Sequence, residues 1–216
     1  MSTNLNIQPS TTALVVIDMQ RDFLDARGYA AKAGLDVNLL RAAISPIAAL
    51  LAAARKRGVL VVFTREANAP DLSDVPPCFV DAGQRSGAPV GTQGPMGRFL
   101  VRGEYGSDIV DELQPLLNEI VIDKPGFSAF ESTALGALLN ARAIGTLLIT
   151  GITTEVCVSS TLRSAVDRGF RCITVRDACA SSYPHLHEAA LEMICVEGGV
   201  FGRVAESTDV IAAWNG

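Results

Sequence analysis

What most constrains this 216-residue chain is a recurrence: short apolar, β-branched runs alternate with helical patterns along its length. "ALVVID" (13–18), "VLVVFTR" (59–65), "EIVIDK" (119–124), "TLLITG" (146–151) and "RCITVRD" (171–177) are continuous in Val, Ile and Leu and end in polar or turn residues. That is the pattern of strands buried on both faces. Between them, Ser45-Pro46 offers a cap and first-turn pair for a helix over "PIAALLAAARKRG". "ESTALGALLNARAIG" and "EVCVSSTLRSAVDRG" each close at a glycine shortly after an arginine, a usual helix end. A further strand is expected at "GGVFGRVA", followed by a short helix to Trp214. The alternation predicts an α/β fold: a three-layer αβα sandwich around a six-stranded parallel sheet, Rossmann-like, with right-handed crossovers. A chain of this length is enough for one domain, residues 1–216. One stretch, from Glu66 to about Ser107, breaks the alternation; rich in Gly and Pro, it is expected to be a long irregular lid or binding loop.

Charge and composition narrow the partners. The formal net charge is −5, which argues against a nucleic-acid or membrane partner, since those need basic patches. Apolar residues make up 49% of the chain, enough for a large core and an excess that points to a subunit interface. No apolar run is read as long enough to span a bilayer. "MSTNLNIQPSTTA" lacks a basic segment followed by an apolar one, so no signal peptide is expected. The five cysteines form no CxxC pair, which favours reduced thiols and a cytoplasmic location.

In an open α/β sheet, ligands bind beyond the carboxyl ends of the strands. The first strand ends in Asp18, the third in Lys124, and the fourth runs into the loop carrying Cys157. Each has a plain structural reading: an Asp that caps a turn, a solvated Lys, a Cys packed in an alanine-rich helix. Lysine is rare here, however: three against fifteen arginines. Together the three have a chemistry. The attacking species of a cysteine is the thiolate, which a helix N-terminus and a nearby ammonium stabilise. Asp18 is placed to take the thiol proton, return it to a departing amine and activate water. The backbone N–H groups of Thr153 and Cys157 are the candidate oxyanion donors.

"VVIDMQRDF", "IDKPGFSAF" and "TGITTEVCVSSTLRSAVDRG" resemble the cysteine hydrolases of the isochorismatase-like superfamily, in the same order and across nearly the whole chain. The resemblance implies an Asp–Lys–Cys triad at Asp18, Lys124 and Cys157 that forms an acyl-enzyme thioester. It also implies a cis peptide at Ile152–Thr153, no cofactor, and a homo-oligomer, a dimer or tetramer. The presence of Cys157 separates the chain from the isochorismatases that cleave a vinyl ether. Nicotinamidases hold a metal with histidines after the second strand; "TREANAPDLSDVP" has none, and His185 and His187 come late in "SYPHLHEAA", so no metal is expected.

Within that superfamily, "DFLDARGYAAKAG", "TREANAPDLSDVP", "GRFLVRGEYGSDIVDEL" and "GGVFGRV" are most similar to biuret and triuret hydrolases. The implied substrate is a small condensed urea, cleaved at a terminal carbamoyl C–N bond with release of ammonia. The alternative is a ureidoacrylate or N-carbamoylsarcosine type of amidohydrolase, and a remote one is a non-catalytic binding protein of the same fold. Two positions depart from the biuret enzymes: Phe127 replaces a lysine and Glu197 a glutamine. A carboxylate only accepts hydrogen bonds, so Glu197 is expected to favour N–H donors and repel a substrate carboxylate. Phe23 and Phe127 are candidate pocket walls, though core packing accounts for either. Gln20 is a weaker candidate, because such residues often satisfy backbone groups. Arg85, Arg98 and Arg102 are expected either to reach substrate carbonyls or to hold the lid. Cys78, Cys172, Cys179 and Cys195 are given no role.

Overall fold

The computed structural model describes Leu5 and residues 7–215; the rest of the chain's first segment, on which the signal-peptide reading partly rests, lies outside the described residues. Six strands form one parallel sheet: β1 (Thr12–Ile17), β2 (Leu60–Glu66), β3 (Ile120–Lys124), β4 (Thr146–Ile152), β5 (Arg171–Ala180) and β6 (Arg203–Ala205), in the order β3-β2-β1-β4-β5-β6. The chain therefore builds outward from β1 to β3 and then returns to the other side of β1. This reversal between β1 and β4 is the crevice where such sheets bind ligands. Every residue of β1 is buried, as a central strand covered on both faces requires.

Helices α1 (Ile44–Arg57), α2 (Pro77–Ser86), α3 (Leu135–Ala141), α4 (Ser159–Asp167), α5 (Pro184–Ile194) and α6 (Ser207–Asn215) are joined by several single turns. Side chains alternate along β1, so the strand feeds two cores. Leu14 and Val16 pack with Ile47, Leu50 and Leu51 of α1 and Trp214 of α6. Val15 and Ile17 pack with Leu135 and Leu139 of α3, Leu162 of α4 and Leu191 of α5. Within α1 the buried positions are Ile47, Leu50, Leu51 and Ala54, the one-faced spacing of an amphipathic helix. Gly58, with φ 67°, closes it in the left-handed conformation. Truncating Leu50 to Ala would cost about 2–5 kcal/mol.

Two expectations are corrected here. The helix expected to start at Ser45-Pro46 starts at Ile44 and continues a helical run from Val37, capped by Asp36, whose carboxylate accepts the Asn38 N–H at 2.9 Å. Pro46 is accommodated just after a 3-10 turn (Arg41–Ala43), where the backbone bonding changes register. That 21-residue run, Val37–Arg57, is by length and composition apolar enough to cross a membrane, contrary to the sequence expectation. Here its apolar face packs on the sheet.

The segment 66–107 is also more ordered than its composition implied. It holds α2 and a small antiparallel hairpin, Gln93–Gly94 with Gly97–Arg98. α2 buries only Gly83 of its own residues, so it carries no apolar stripe for a sequence pattern to reveal. The segment is tied down at a distance instead. Asp22 Oδ2 accepts the Leu100 N–H at 2.8 Å, and Asn68 bonds Leu100 and Arg102 through its backbone. Burial pushes the Asp22 carboxyl up to about 6.

Candidate active site

Four strand ends converge beside the β1/β4 crevice. Asp18 follows β1 directly and turns through φ 54°, a conformation that Asp tolerates better than most residues. Its Oδ1 accepts from Thr64 Oγ1 at 2.7 Å, and its Oδ2 pairs with Lys124 Nζ at 2.7 Å. Lys124, the last residue of β3, is fully buried and also donates to the Gly126 carbonyl at 2.8 Å. Cys157 lies beyond β4, and its Sγ donates to Glu66 Oε2 at 3.5 Å. Glu66 is the last residue of β2 and stands 4.0 Å from Lys124 Nζ. The structure thus brings together Asp18, Lys124 and Cys157, and adds Glu66, the residue at which the irregular segment opens. The rule that selected Asp18 and Lys124, an ionisable residue closing a buried strand, applies to Glu66 equally.

One ammonium serves two carboxyl groups and a thiol, all buried. Burial alone would lower the Lys124 pKa, but Asp18, Cys157 and Glu66 outweigh it and hold the ammonium above its ordinary range. Glu66 is pushed up to about 7, first by burial, with Lys124 pulling it down and Asp18 pushing it up. Burial also raises the Cys157 thiol well above its usual value, against the pull of Lys124 and with Asp18 and Glu66 adding to the rise. Burial thus works against a resting thiolate, and the Lys124 ammonium works for one. Ligand-type atoms of Asp18, Glu66 and Cys157 lie within 4.8 Å of one another, a set able to hold a metal. The Lys124 ammonium, 2.7 and 4.0 Å from the two carboxyl groups, already fills the cationic position, so the residues present do not suit an ion.

The turn carrying Cys157 is held by its backbone. The Ile152–Thr153 peptide is cis. Gly151, at φ 114°, faces β1 so closely that any side chain would collide with the Ile17 carbonyl oxygen. Cys157 lies in a π-helical turn, Thr154–Val158, that runs into α4, rather than in the first α-helical turn. The Thr153 carbonyl accepts from Val156 and Val158 N–H, at 3.1 and 3.2 Å. Thr154 Oγ1 meets His187 Nδ1 of α5 at 2.8 Å, which gives that histidine a positioning contact; His185 packs edge-on to Tyr183.

The other sequence candidates separate. Gln20 is buried and brackets Glu66: its Oε1 accepts the Glu66 N–H at 2.7 Å while its Nε2 donates to the Glu66 carbonyl at 3.0 Å and to the Ser107 carbonyl at 2.8 Å. Phe23 is buried in the core, edge-on to Tyr29 at 5.6 Å. Tyr29 also belongs to the site's surroundings: its phenol is raised first by burial and then by the charges of Glu66 and Cys157. Phe127 is part-exposed and stacks on Phe79 of α2 at 4.3 Å, so it meets the lid helix. Glu197 does not join the site. It is an exposed, left-handed residue (φ 52°) in the turn before β6, whose Arg203 pairs with Ile173 near the start of β5. That is the amino end of the sheet, opposite the thiol. A cavity of about 460 Å³ lies at that end, lined by Thr146, Phe170, Arg171 and the glycine-rich 198–202 turn. Arg98 pairs with Glu104 and Arg102 with Asp74, so both hold the lid, whereas among the described residues Arg85 has no ion pair.

Comparison with known proteins agrees with this geometry. The model of the family described as "Isochorismatase domain" matches residues 12–209. The ureidoacrylate amidohydrolase RutB of Acinetobacter baylyi is 33% identical over 96% of this chain and 85% of its own length. That of Methylorubrum extorquens is 37% identical over 85% and 76%. Among solved structures, a cysteine hydrolase from Pseudomonas syringae pv. phaseolicola superposes with a TM-score of 0.82 at 27% identity, covering 98% of this chain and 95% of that one. An N-carbamoylsarcosine amidase from Thermoplasma acidophilum gives 0.68 at 25%, covering 91% and 96%. The two curated relatives are named for ureidoacrylate and not for biuret. A six-stranded parallel sheet ordered β3-β2-β1-β4-β5-β6, a buried Asp–Lys–Cys cluster at its crevice and a family match over residues 12–209 agree: this chain belongs to the isochorismatase family, as one of its cysteine hydrolases.

Proposed function

We propose that this chain is a metal-independent cysteine amidohydrolase that cleaves the carbamoyl C–N bond of a small ureido acid, with ureidoacrylate as the leading substrate. The observation that carries the chemistry is the fully buried Lys124–Asp18 pair at 2.7 Å, set beside the thiol of Cys157. A buried pair of this kind is costly to keep for stability alone. Substrate binding brings a carbonyl carbon to Cys157; Asp18 accepts the thiol proton as the C–S bond forms, and the Lys124 ammonium balances the charge. The negative oxygen that develops is received by the backbone N–H groups of Thr153 and Cys157. Collapse of the tetrahedral species breaks the C–N bond and leaves a thioester for water to cleave.

Two findings support a ureido acid over a condensed urea. The curated relatives at 33–37% identity are named for ureidoacrylate. Glu197, the residue expected to repel a substrate carboxylate, stands at the far end of the sheet within its own chain. Arg85, at the end of α2, has no ion pair among the described residues and is assigned here to the carboxylate of such a substrate. The reading extends to assembly as a dimer or tetramer, because Tyr183, Leu186, Met193 and Val196 leave apolar surface exposed on and beside α5. Ammonia release from ureidoacrylate, N-carbamoylsarcosine, biuret and triuret, measured for wild type and Cys157→Ser, tests the function. Turnover of ureidoacrylate that vanishes in the variant is expected. Turnover of biuret or triuret alone would reverse the substrate order, and turnover that survives the variant would remove Cys157 as the nucleophile.

A further inference from the structure

Two carboxyl groups flank the thiol, and their surroundings differ. Asp18 Oδ1 accepts from Thr64 Oγ1 at 2.7 Å, while Oδ2 faces the Lys124 ammonium at 2.7 Å and makes no hydrogen bond among the described residues, which leaves it free to take a proton. Glu66 has its backbone fixed by Gln20, and its carboxyl meets the thiol at 3.5 Å and the ammonium only at 4.0 Å. Once a substrate carbon is bonded to Cys157 Sγ, the other substituents of that carbon fall within hydrogen-bond reach of Glu66 Oε2. We propose that Glu66 is the general acid that protonates the departing nitrogen, and then the general base that activates water against the thioester. The proposal rests on Cys157 being the nucleophile, as argued above.

The protons balance. In the first half-reaction the S–H proton passes to Asp18, the C–S bond forms, and the C–N bond breaks as the Glu66 carboxyl proton passes to nitrogen. In the second, the Glu66 carboxylate takes a proton from water, the resulting hydroxide adds to the thioester carbon, and the C–S bond breaks. Asp18 returns its proton to sulfur, and both carboxyl groups end as they began. The charged and titratable groups facing Glu66 are Lys124 from β3, Asp18 from β1, Cys157 from the turn after β4 and Tyr29 from the single turn Tyr29–Lys32. A carboxyl pushed up to about 7 suits an acid and base that must exchange its proton near neutrality.

The test is Glu66→Gln assayed with p-nitrophenyl carbamate, whose leaving phenolate needs no proton and whose acyl product is the same carbamoyl thioester. The expected result is a p-nitrophenolate burst within a few-fold of wild type, followed by steady-state turnover slowed about 100-fold or more. With an amide-type ureido substrate, kcat/KM should fall by a similar factor, and the wild-type loss of kcat/KM as pH rises through about 7 should be absent. Glu66→Asp, which keeps a carboxyl, should recover part of the turnover. Burst and turnover slowed equally, or neither slowed, would overturn the proposal, because a residue that only shapes the site does not distinguish leaving groups. A burst in Cys157→Ser would instead remove the nucleophile, an outcome separate from either.

Discussion

The side-chain amide of Gln20 is joined to the backbone of Glu66 at both ends, accepting its N–H at 2.7 Å and donating to its carbonyl at 3.0 Å. A residue next to the end of one strand thereby completes the backbone bonding at the end of its neighbour and sets the direction in which Glu66 leaves the sheet. Gln20→Ala would strand buried backbone groups of Glu66 and Ser107, at about 1–3 kcal/mol per unsatisfied group. The expected outcome is a lower Tm together with a kcat loss of at least tenfold and little change in KM. A variant that keeps wild-type kcat would show that the clamp does not position the reacting groups.

Lys124 is the only charge compensation in the buried cluster of described residues. Lys124→Met leaves two carboxyl groups and a thiol facing one another without a cation. The breaking of a buried pair costs about 3–5 kcal/mol, and urea denaturation at pH 7.5 should show a loss on that scale. Lys124→Ala, by opening the space, should gain zinc affinity, since Asp18, Glu66 and Cys157 then offer three ligand atoms within 4.8 Å. Calorimetric titration showing no zinc binding in that variant would mean that the atoms do not converge once the ammonium is gone.

How far this was readable in advance depends on where each residue takes its partners. Asp18, Lys124 and Cys157 are legible because each closes or follows a buried strand, and a sheet with this topology gathers strand ends. Glu66 obeys the same rule, but it also opens an irregular stretch whose composition masks it. Tyr29 lies in a single turn whose position is set by ring contacts with Phe23 and with Phe99, the latter far away in sequence. Glu197 shows the opposite error: family-like spacing suggested a ligand contact, while the pairing of β6 with β5 puts it at the wrong end of the sheet for its own chain. Local patterns show which face an element buries; which ends meet is set by topology and long-range bonds.

Glu66 also couples stability to pH. Its folded pKa, raised from 4.5 to about 7, means that the native state binds more protons than the unfolded chain between those values. Stability contributed by this group is therefore complete below about 4.5 and lost as pH rises to about 7. Glu66→Gln removes that loss, so its Tm should exceed the wild-type value at pH 8 and match it at pH 4.5. At about 1.4 kcal/mol per pKa unit the gain at pH 8 is of the order of 3–4 kcal/mol. Equal Tm values at both pH values would mean that Glu66 is not held in its protonated form by burial.

The lid carries the last prediction. α2 meets Phe127, which follows β3 and Lys124, through the stacked ring of Phe79 at 4.3 Å. Arg85 is then the lid arginine assigned here to a substrate carboxylate, because among the described residues it has no ion pair while Arg98 and Arg102 are spent on Glu104 and Asp74. Arg85→Ala should raise KM for ureidoacrylate about tenfold or more, as the loss of a charge-assisted hydrogen bond of about 1.5–3 kcal/mol implies. It should leave KM for neutral biuret unchanged. Phe127→Ala, which removes the stack but no charge, should raise KM for both substrates and speed hydrogen exchange in residues 77–86. If Arg85→Ala affected the two substrates alike, carboxylate recognition would have to lie elsewhere, and the preference for a ureido acid would lose its structural support.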